Sequence, residues 1–294
     1  MGRLMEVLIL GMHRSGTSLV SAIVNKLGIF GGDEETLERS AEWNPKGYWE
    51  YRQFTQANNR ILAVLGANWD RVAGLDDTLF SAHEAKIAGI CAELETSFRR
   101  FGERPDWAIK DPRLCLVLPA WRGFLHNPLA VLVVRDPIEV AISLQKRNQM
   151  PLVAGIALWE FYMKSALRHS RQMPRVLVDY NALLRDPDRE ISALRDALAR
   201  SGATLTGVTE DVRGFVDASL YRSRNLDIQA KSLLNLKQAE FYDALRQGRP
   251  DAAELAVSAG GLEVLGLHEA ANPELPAWKK KWRHFSKRPG RSGK

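Results

Sequence analysis

The chain has 294 residues, 45% of them hydrophobic, and a formal net charge of +6. This is ordinary globular composition, enough for one large α/β domain or two small ones, and no apolar run approaches the ~20 residues that cross a bilayer. The two cysteines, Cys91 and Cys115, argue against a disulfide framework and fit a reducing compartment.

The first apolar run, Val7–Leu10, begins close enough to Met5 to leave no room for a signal peptide before it, so a cytoplasmic protein is expected. It leads into Gly11-Met12-His13-Arg14-Ser15-Gly16-Thr17-Ser18 and then an amphipathic stretch, Ser18–Leu27, with Gly28 as its cap. Strand, glycine-bounded loop and helix follow one another with the spacing of the phosphate-binding loop G-x-x-x-x-G-K-[ST]. Thr17 replaces the lysine of that pattern. The glycines and the helix start still offer backbone N–H groups to an anion, but Arg14 without the lysine points away from an ordinary nucleoside triphosphate.

Glu34-Glu35-Thr36 comes next, then the aromatic, turn-rich segment Trp43–Glu50, which reads either as a pocket wall or as a loop pinned to the core by its tryptophans. A helix is expected over Ala85–Phe98. A strand at Trp107–Ile109 ends in Lys110-Asp111-Pro112, and a strand at Ala130–Val134 ends in Arg135-Asp136-Pro137. Asp136 can cap the helix that follows, Pro137 suits its first position, and Ser143 lies two turns in. Leu152–Arg171 reads as a long helix whose Trp159 and Tyr162 face the core. Val176–Val178 is a fourth strand, ended by Asp179-Tyr180, and Pro187–Ala199 is a helix ending near Gly202. Residues 205–250 read as mostly helical, with Arg222 and Arg224 in a turn, and 266–277 as a loop. The histidines show no metal-ligand spacing.

The alternation of strands and helices predicts an α/β fold: a P-loop-like, doubly wound parallel sheet in three α/β/α layers. Ligands of such sheets sit outside the carboxyl ends of the strands, where the Gly11 loop, Lys110, Arg135 and Tyr180 all fall. One domain over 1–265 and a loop with a basic tail over 266–294 are expected. Residues 279–294 carry eight of the 41 Lys and Arg and no acid. The tail reads as a solvated terminus, with weak contact to an anionic membrane as the alternative and no nucleic-acid partner expected.

The Gly11–Ser18 loop and the Arg135/Ser143 pair, eight residues apart, together resemble the sulfotransferases that use 3′-phosphoadenosine 5′-phosphosulfate (PAPS); the resemblance spans about residues 5–185. It implies that Arg14, Ser15, Gly16, Thr17 and Ser18 hold the 5′-phosphosulfate and that Arg135 and Ser143 hold the 3′-phosphate. It implies an in-line transfer of the sulfuryl group to a hydroxyl, with Arg14 on the sulfuryl and PAP (3′-phosphoadenosine 5′-phosphate) as product. Lys110-Asp111-Pro112 is similar to the Lys-Asp-Pro of protein-tyrosine sulfotransferases, which gives Lys110 the leaving group. Glu35, 21 residues after Arg14, matches their catalytic glutamate, with Glu50, Asp33 and Asp111 as rival bases. Arg147 corresponds to a nucleotide-contacting arginine or is an exposed helix residue, and Tyr180 contacts adenine or the core. Arg222 and Arg224 are further candidates to close over the nucleotide. No metal is expected. The acceptor is a small molecule or carbohydrate, and the membrane anchor of Golgi relatives is not seen. The competing readings are a P-loop small-molecule kinase, which should need the missing lysine, and a non-catalytic nucleotide-binding protein whose tail meets membranes.

Overall fold

The computed structural model describes residues 5–33, 36–37, 49–104, 106–207, 212–213, 216, 232–252 and 255–272. Four parallel strands, β1 (Met5–Leu10), β2 (Asp106–Lys110), β3 (Pro128–Val134) and β4 (Arg175–Asp179), form a sheet in the order β2-β1-β3-β4. Helix α1 (Thr17–Lys26) follows β1. Helices α2 (Arg52–Val64), α3 (Thr78–Ala82), α4 (Glu84–Ala92) and α5 (Glu95–Gly102) precede β2, and α6 (Leu114–Trp121) leads towards β3. Helices α7 (Pro137–Asn148) and α8 (Leu152–His169) join β3 to β4. After β4 come α9 (Tyr180–Arg185), α10 (Pro187–Arg200), α11 (Leu236–Arg246) and α12 (Ala259–Ala271).

The strands are apolar without alternation because both faces are covered. Val7, Ile9, Leu129, Val131 and Val133 face Val20, Ile23 and Val24 of α1 and Ile191, Leu194 and Leu198 of α10. Leu8, Leu10, Leu132 and Val134 face the other way, towards Phe54 and Ile61 of α2, the α6 leucines, and Trp159 and Tyr162 of α8. These are the three expected layers.

Register places the site. Ile9 lies opposite Lys110, Leu10 opposite Leu132, and Val134 opposite Asp179. Gly11, Lys110, Arg135 and Tyr180 therefore leave the sheet at one edge. β1 continues to β2 on one side, and its other neighbour is β3, so the Gly11 loop opens at the point where the strand order reverses.

Asp136 caps α7 by accepting from the Ile138 and Glu139 amides, with Pro137 in the first turn, as its sequence predicts. Several element readings differ. The helix expected over Ala85–Phe98 is two helices, because at Leu94 the amide bonds to the Cys91 carbonyl three residues back and the buried Leu94 turns the chain inward. Helix α2 was not anticipated: its polar sequence carries Phe54, Ala57, Ile61 and Leu62 at helical spacing, and that stripe is buried. Residues 266–271, expected as loop, continue α12, which Ser258 caps through the Gly261 amide.

A buried ion pair fastens α11 and α12 to α8. Glu160 and Lys164 lie 2.9 Å apart with almost no exposure. Glu160 also accepts from Gln238 and from the Ser258 amide and hydroxyl, and Lys164 donates to the Ala256 carbonyl. Every charge in this cluster is answered, which is the condition for burying it.

Candidate active site

The chain turns out of β1 through a strained loop. Gly11 lies so close to β3 that a Cβ there would stand 2.8 Å from the Val133 carbonyl oxygen. Its amide donates to Cys115 Sγ at 3.1 Å. Arg14 and Gly16 both have left-handed backbone, with φ of 71° and 89°. That is easy for glycine and costly for arginine, a kind of strain that concentrates at ligand sites. The turn closes with the Ser15 amide on the Met12 carbonyl. Gly16 stands at the N-cap of α1 and has no side chain to bond its first-turn amides, and a helix start without a side-chain cap is suited to an anion. The Thr17 methyl lies against Gly11, and the buried Ser15 hydroxyl has no hydrogen-bond partner among the described residues. An oxyanion in this loop would satisfy that hydroxyl.

Three residues of the sequence reading meet directly. Arg14 Nε donates to Ser143 Oγ at 2.8 Å, and Arg135 donates to the Arg14 carbonyl at 2.8 Å. The sequence assigned Arg14 to one end of the donor and Ser143 to the other, but the fold places them in contact. Arg135 is buried and oriented by Glu139, four residues on, at 2.9 Å. Glu139 accepts in turn from Asn181. The guanidinium lies 4.8 Å from the centre of the Tyr180 ring. That ring also packs against Gly16, where a Cβ would come within 2.0 Å of it. Tyr180 is thus wedged between loop and arginine, and burial raises the pKa of its phenol despite Arg135.

Lys110 brings the second strand end into the same place. Its ammonium lies 2.5 Å from Glu50 and 3.3 Å from the hydroxyl of Ser18, in the first turn of α1. Glu50 lies 3.7 Å from Arg113. Asp111 is fully buried and accepts from Asn58, from the Arg113 amide and from its guanidinium. Asn58 in turn accepts from Trp121. Asp111 therefore braces the strand end. Asp33 is exposed and lines a cavity of about 260 Å³ with Phe30, Tyr51, Phe101 and Arg104. Arg147 is exposed on α7, one turn past Ser143. Glu35, Trp43–Tyr48, Arg222, Arg224 and the basic tail lie outside the described residues.

Sequence reasoning missed Glu139 and Cys115 as parts of this centre. Glu139 sits at i+4 from Arg135 and could have been found by that spacing. Contact between Gly11 and Cys115 carries no local signal. Among the described residues no group of three or more His, Cys, Asp or Glu is arranged to hold a metal ion, and no helix is long and apolar enough to cross a membrane.

Residues 6–202, more than half of the chain, match the model of the sulfotransferase family. The chain belongs to that family. Among solved structures, the sulfotransferase domain of the Synechococcus PCC 7002 olefin synthase aligns with a TM-score of 0.44 and 16% identity, covering 94% of this chain and 97% of that one. The sulfotransferase domain of the curacin biosynthetic pathway aligns at 0.43 and 14%, covering 94% and 100%. No curated protein matches. Within this sulfotransferase, the matched span contains the loop, Lys110, Arg135, Ser143 and Tyr180, whereas α11 and α12 lie beyond it.

Proposed function

We propose that this sulfotransferase moves a sulfuryl group from PAPS to a hydroxyl of a small molecule or carbohydrate, by in-line displacement without a metal. What carries the reading is the convergence on one anion loop of Arg14, Lys110, Arg135 and Ser143 from three strand ends. The donor fits the residues present: the buried Ser15 hydroxyl lacks a partner among the described residues, and the amides at the start of α1 have no side-chain cap.

The residues divide the work by position. The loop amides and Ser18 would hold the 5′ end of the donor, and Arg14 would bind the moving sulfuryl oxygens. Lys110, held beside Ser18 by Glu50, would meet the charge that grows on the leaving phosphate oxygen, where a fixed cation is most effective. Arg135 and Ser143 would read the 3′-phosphate, with Arg147 beyond them. Tyr180 holds Arg135 against the loop and could meet the adenine at its edge. The oxygens of Glu50 and Asp111 are already engaged by cations and amides, which leaves Glu35 as the proton acceptor that its resemblance implies, with the exposed Asp33 as its rival. Both cysteines are buried and free, which suits the cytoplasm.

Calorimetric titration with PAP in EDTA, beside ADP and ATP, tests the reading. Tight PAP binding that is mostly lost without the 3′-phosphate supports it. ATP binding restored by magnesium, with none for PAP, would replace it with the kinase reading.

A further inference from the structure

His13 precedes Arg14 in the loop. Its ring meets Trp69 edge-on, 5.2 Å between centroids, and Tyr162 at 5.8 Å. Those two residues are themselves joined, since the Tyr162 hydroxyl donates to the Trp69 carbonyl at 2.7 Å. The imidazole is therefore fixed in plane. Its Nε2 is nevertheless shut off from solvent and has no hydrogen-bond partner among the described residues. A ring serving only as a spacer between Trp69 and Tyr162 would gain from being phenylalanine, because a buried nitrogen without a partner costs folding energy. An orphaned polar atom in a fixed ring, beside an anion loop, points to a ligand that completes it.

The surroundings say what kind of ligand. Burial first, and then Arg113, Lys110, Arg147 and Arg14, hold the His13 pKa well below the ordinary histidine range. That direction favours the neutral ring, which has one N–H to donate. The field that opposes a proton on the ring favours an anion beside it and strengthens that N–H as a donor. A neutral imidazole is suited to this, since it stabilises developing negative charge without itself changing protonation.

Resting on the sulfotransferase reading, we propose that His13 is a further catalytic residue whose Nε2–H donates to an oxygen of the transferring sulfuryl group, beside Arg14. The step balances without a proton from the ring. The acceptor oxygen bonds to sulfur and gives its proton to the carboxylate base. The bond from sulfur to the bridging oxygen breaks, and its electron pair leaves on the phosphate of PAP. His13 holds the same hydrogen bond throughout.

PAPS has the sulfuryl and PAP lacks it, so the contact can be read without knowing the acceptor. Binding of both is measured calorimetrically for the wild type, His13→Phe and His13→Gln, without acceptor. A hydrogen bond to a charged group implies that His13→Phe weakens PAPS roughly tenfold or more while PAP stays within about twofold. His13→Gln, which retains an N–H at similar reach, recovers most of the PAPS affinity. Equal weakening of PAPS and PAP would make His13 a packing residue of the loop and overturn the proposal, as would no change in either. Should His13→Phe fail to fold, ¹⁵N-histidine spectra of the wild type decide: a His13 Nε2 shift with PAPS but not with PAP supports the contact, and the same response to both, or none, refutes it. A wild type that binds neither nucleotide removes the donor reading itself, and this proposal with it.

Discussion

Lys110 and Glu50 form a buried ion pair, Nζ to Oε1 at 2.5 Å, beside the hydroxyl of Ser18 where α1 begins. Lysine 110 ends β2, and Glu50 comes from the segment just before α2. The pair fixes a long, flexible side chain at the mouth of the anion loop, which makes it a device for aim as much as for stability. Lys110→Ala should lower sulfuryl transfer, followed as PAP release, by about 10²–10³-fold. It should also destabilise the fold by up to about 3–5 kcal/mol, because Glu50 is left buried with Arg113 3.7 Å away. Glu50→Gln keeps a hydrogen bond to the ammonium and should cost less on both counts. Lys110→Met combined with Glu50→Gln should regain stability without regaining turnover. A double variant that recovers both would show Lys110 to be structural.

Arg135 carries two duties that its sequence position does not separate. It faces the expected 3′-phosphate, and it bonds the Arg14 carbonyl, holding that left-handed residue in place. Arg135→Ala should therefore weaken PAP binding at least about tenfold, as loss of a charge-assisted contact does, and also slow turnover through Arg14. Glu139→Gln, which leaves the arginine present but less firmly oriented, should give a smaller loss of PAP affinity and little change in thermal stability. Calorimetry with PAP reads both variants. Unchanged affinity in Arg135→Ala would remove it from the donor site.

The layout of the site was legible because each part sits at the end of a buried strand, and a buried strand is a visible apolar run. Gly11, Lys110, Arg135 and Tyr180 could be placed at one sheet edge from the sequence alone, and register confirms that edge. The pairings across it could not. Lys110 meets Glu50, sixty residues away, and Arg14 meets Ser143, 129 residues away, through tertiary packing that leaves no local pattern. Helix α2 was hidden for a related reason: its apolar stripe is narrow and its remaining positions are polar, so composition masks the period. The start of α12 follows from the Ser258 cap, and its end falls at Asn272, just before Pro273 in the sequence.

Gly16 is required twice, by its φ of 89° and by the Tyr180 ring that occupies the space of a Cβ. Gly16→Ala meets both obstacles. The backbone penalty alone is about 1–2 kcal/mol, and displacing a buried aromatic adds to it. Tyr180→Ala should relieve the clash but not the backbone strain. In urea denaturation, Gly16→Ala in the Tyr180→Ala background should therefore cost less than in the wild type, by a coupling above about 0.5 kcal/mol. Strict additivity would mean that the ring does not press on the loop.

Asp77 gives a pH dependence whose sign can be worked out. Ahead of α3, it accepts from His169 Nε2 at 2.9 Å and from Arg168 Nε at 2.9 Å, both at the end of α8. His169 Nδ1 lies 2.9 Å from the Cys115 carbonyl oxygen on α6. The hydrogen bond from His169, outweighing burial and helped by the charges of His169 and Arg168, lowers the Asp77 pKa from 3.8 to about 2. A carboxyl depressed in the folded state stabilises above its unfolded value, and that stabilisation is lost as pH falls through the folded value. Wild-type stability should therefore drop between about pH 4 and pH 2 by more than that of Asp77→Asn, which has no such proton to take up. Above pH 5 the two curves should run parallel, with the variant lower by the lost bonds. Because the side chain is 48% exposed, solvent screening keeps the difference modest. Denaturant midpoints of the two proteins across pH 2–6 measure it, and curves parallel through the acid range would mean that Asp77 is not held by His169 in solution.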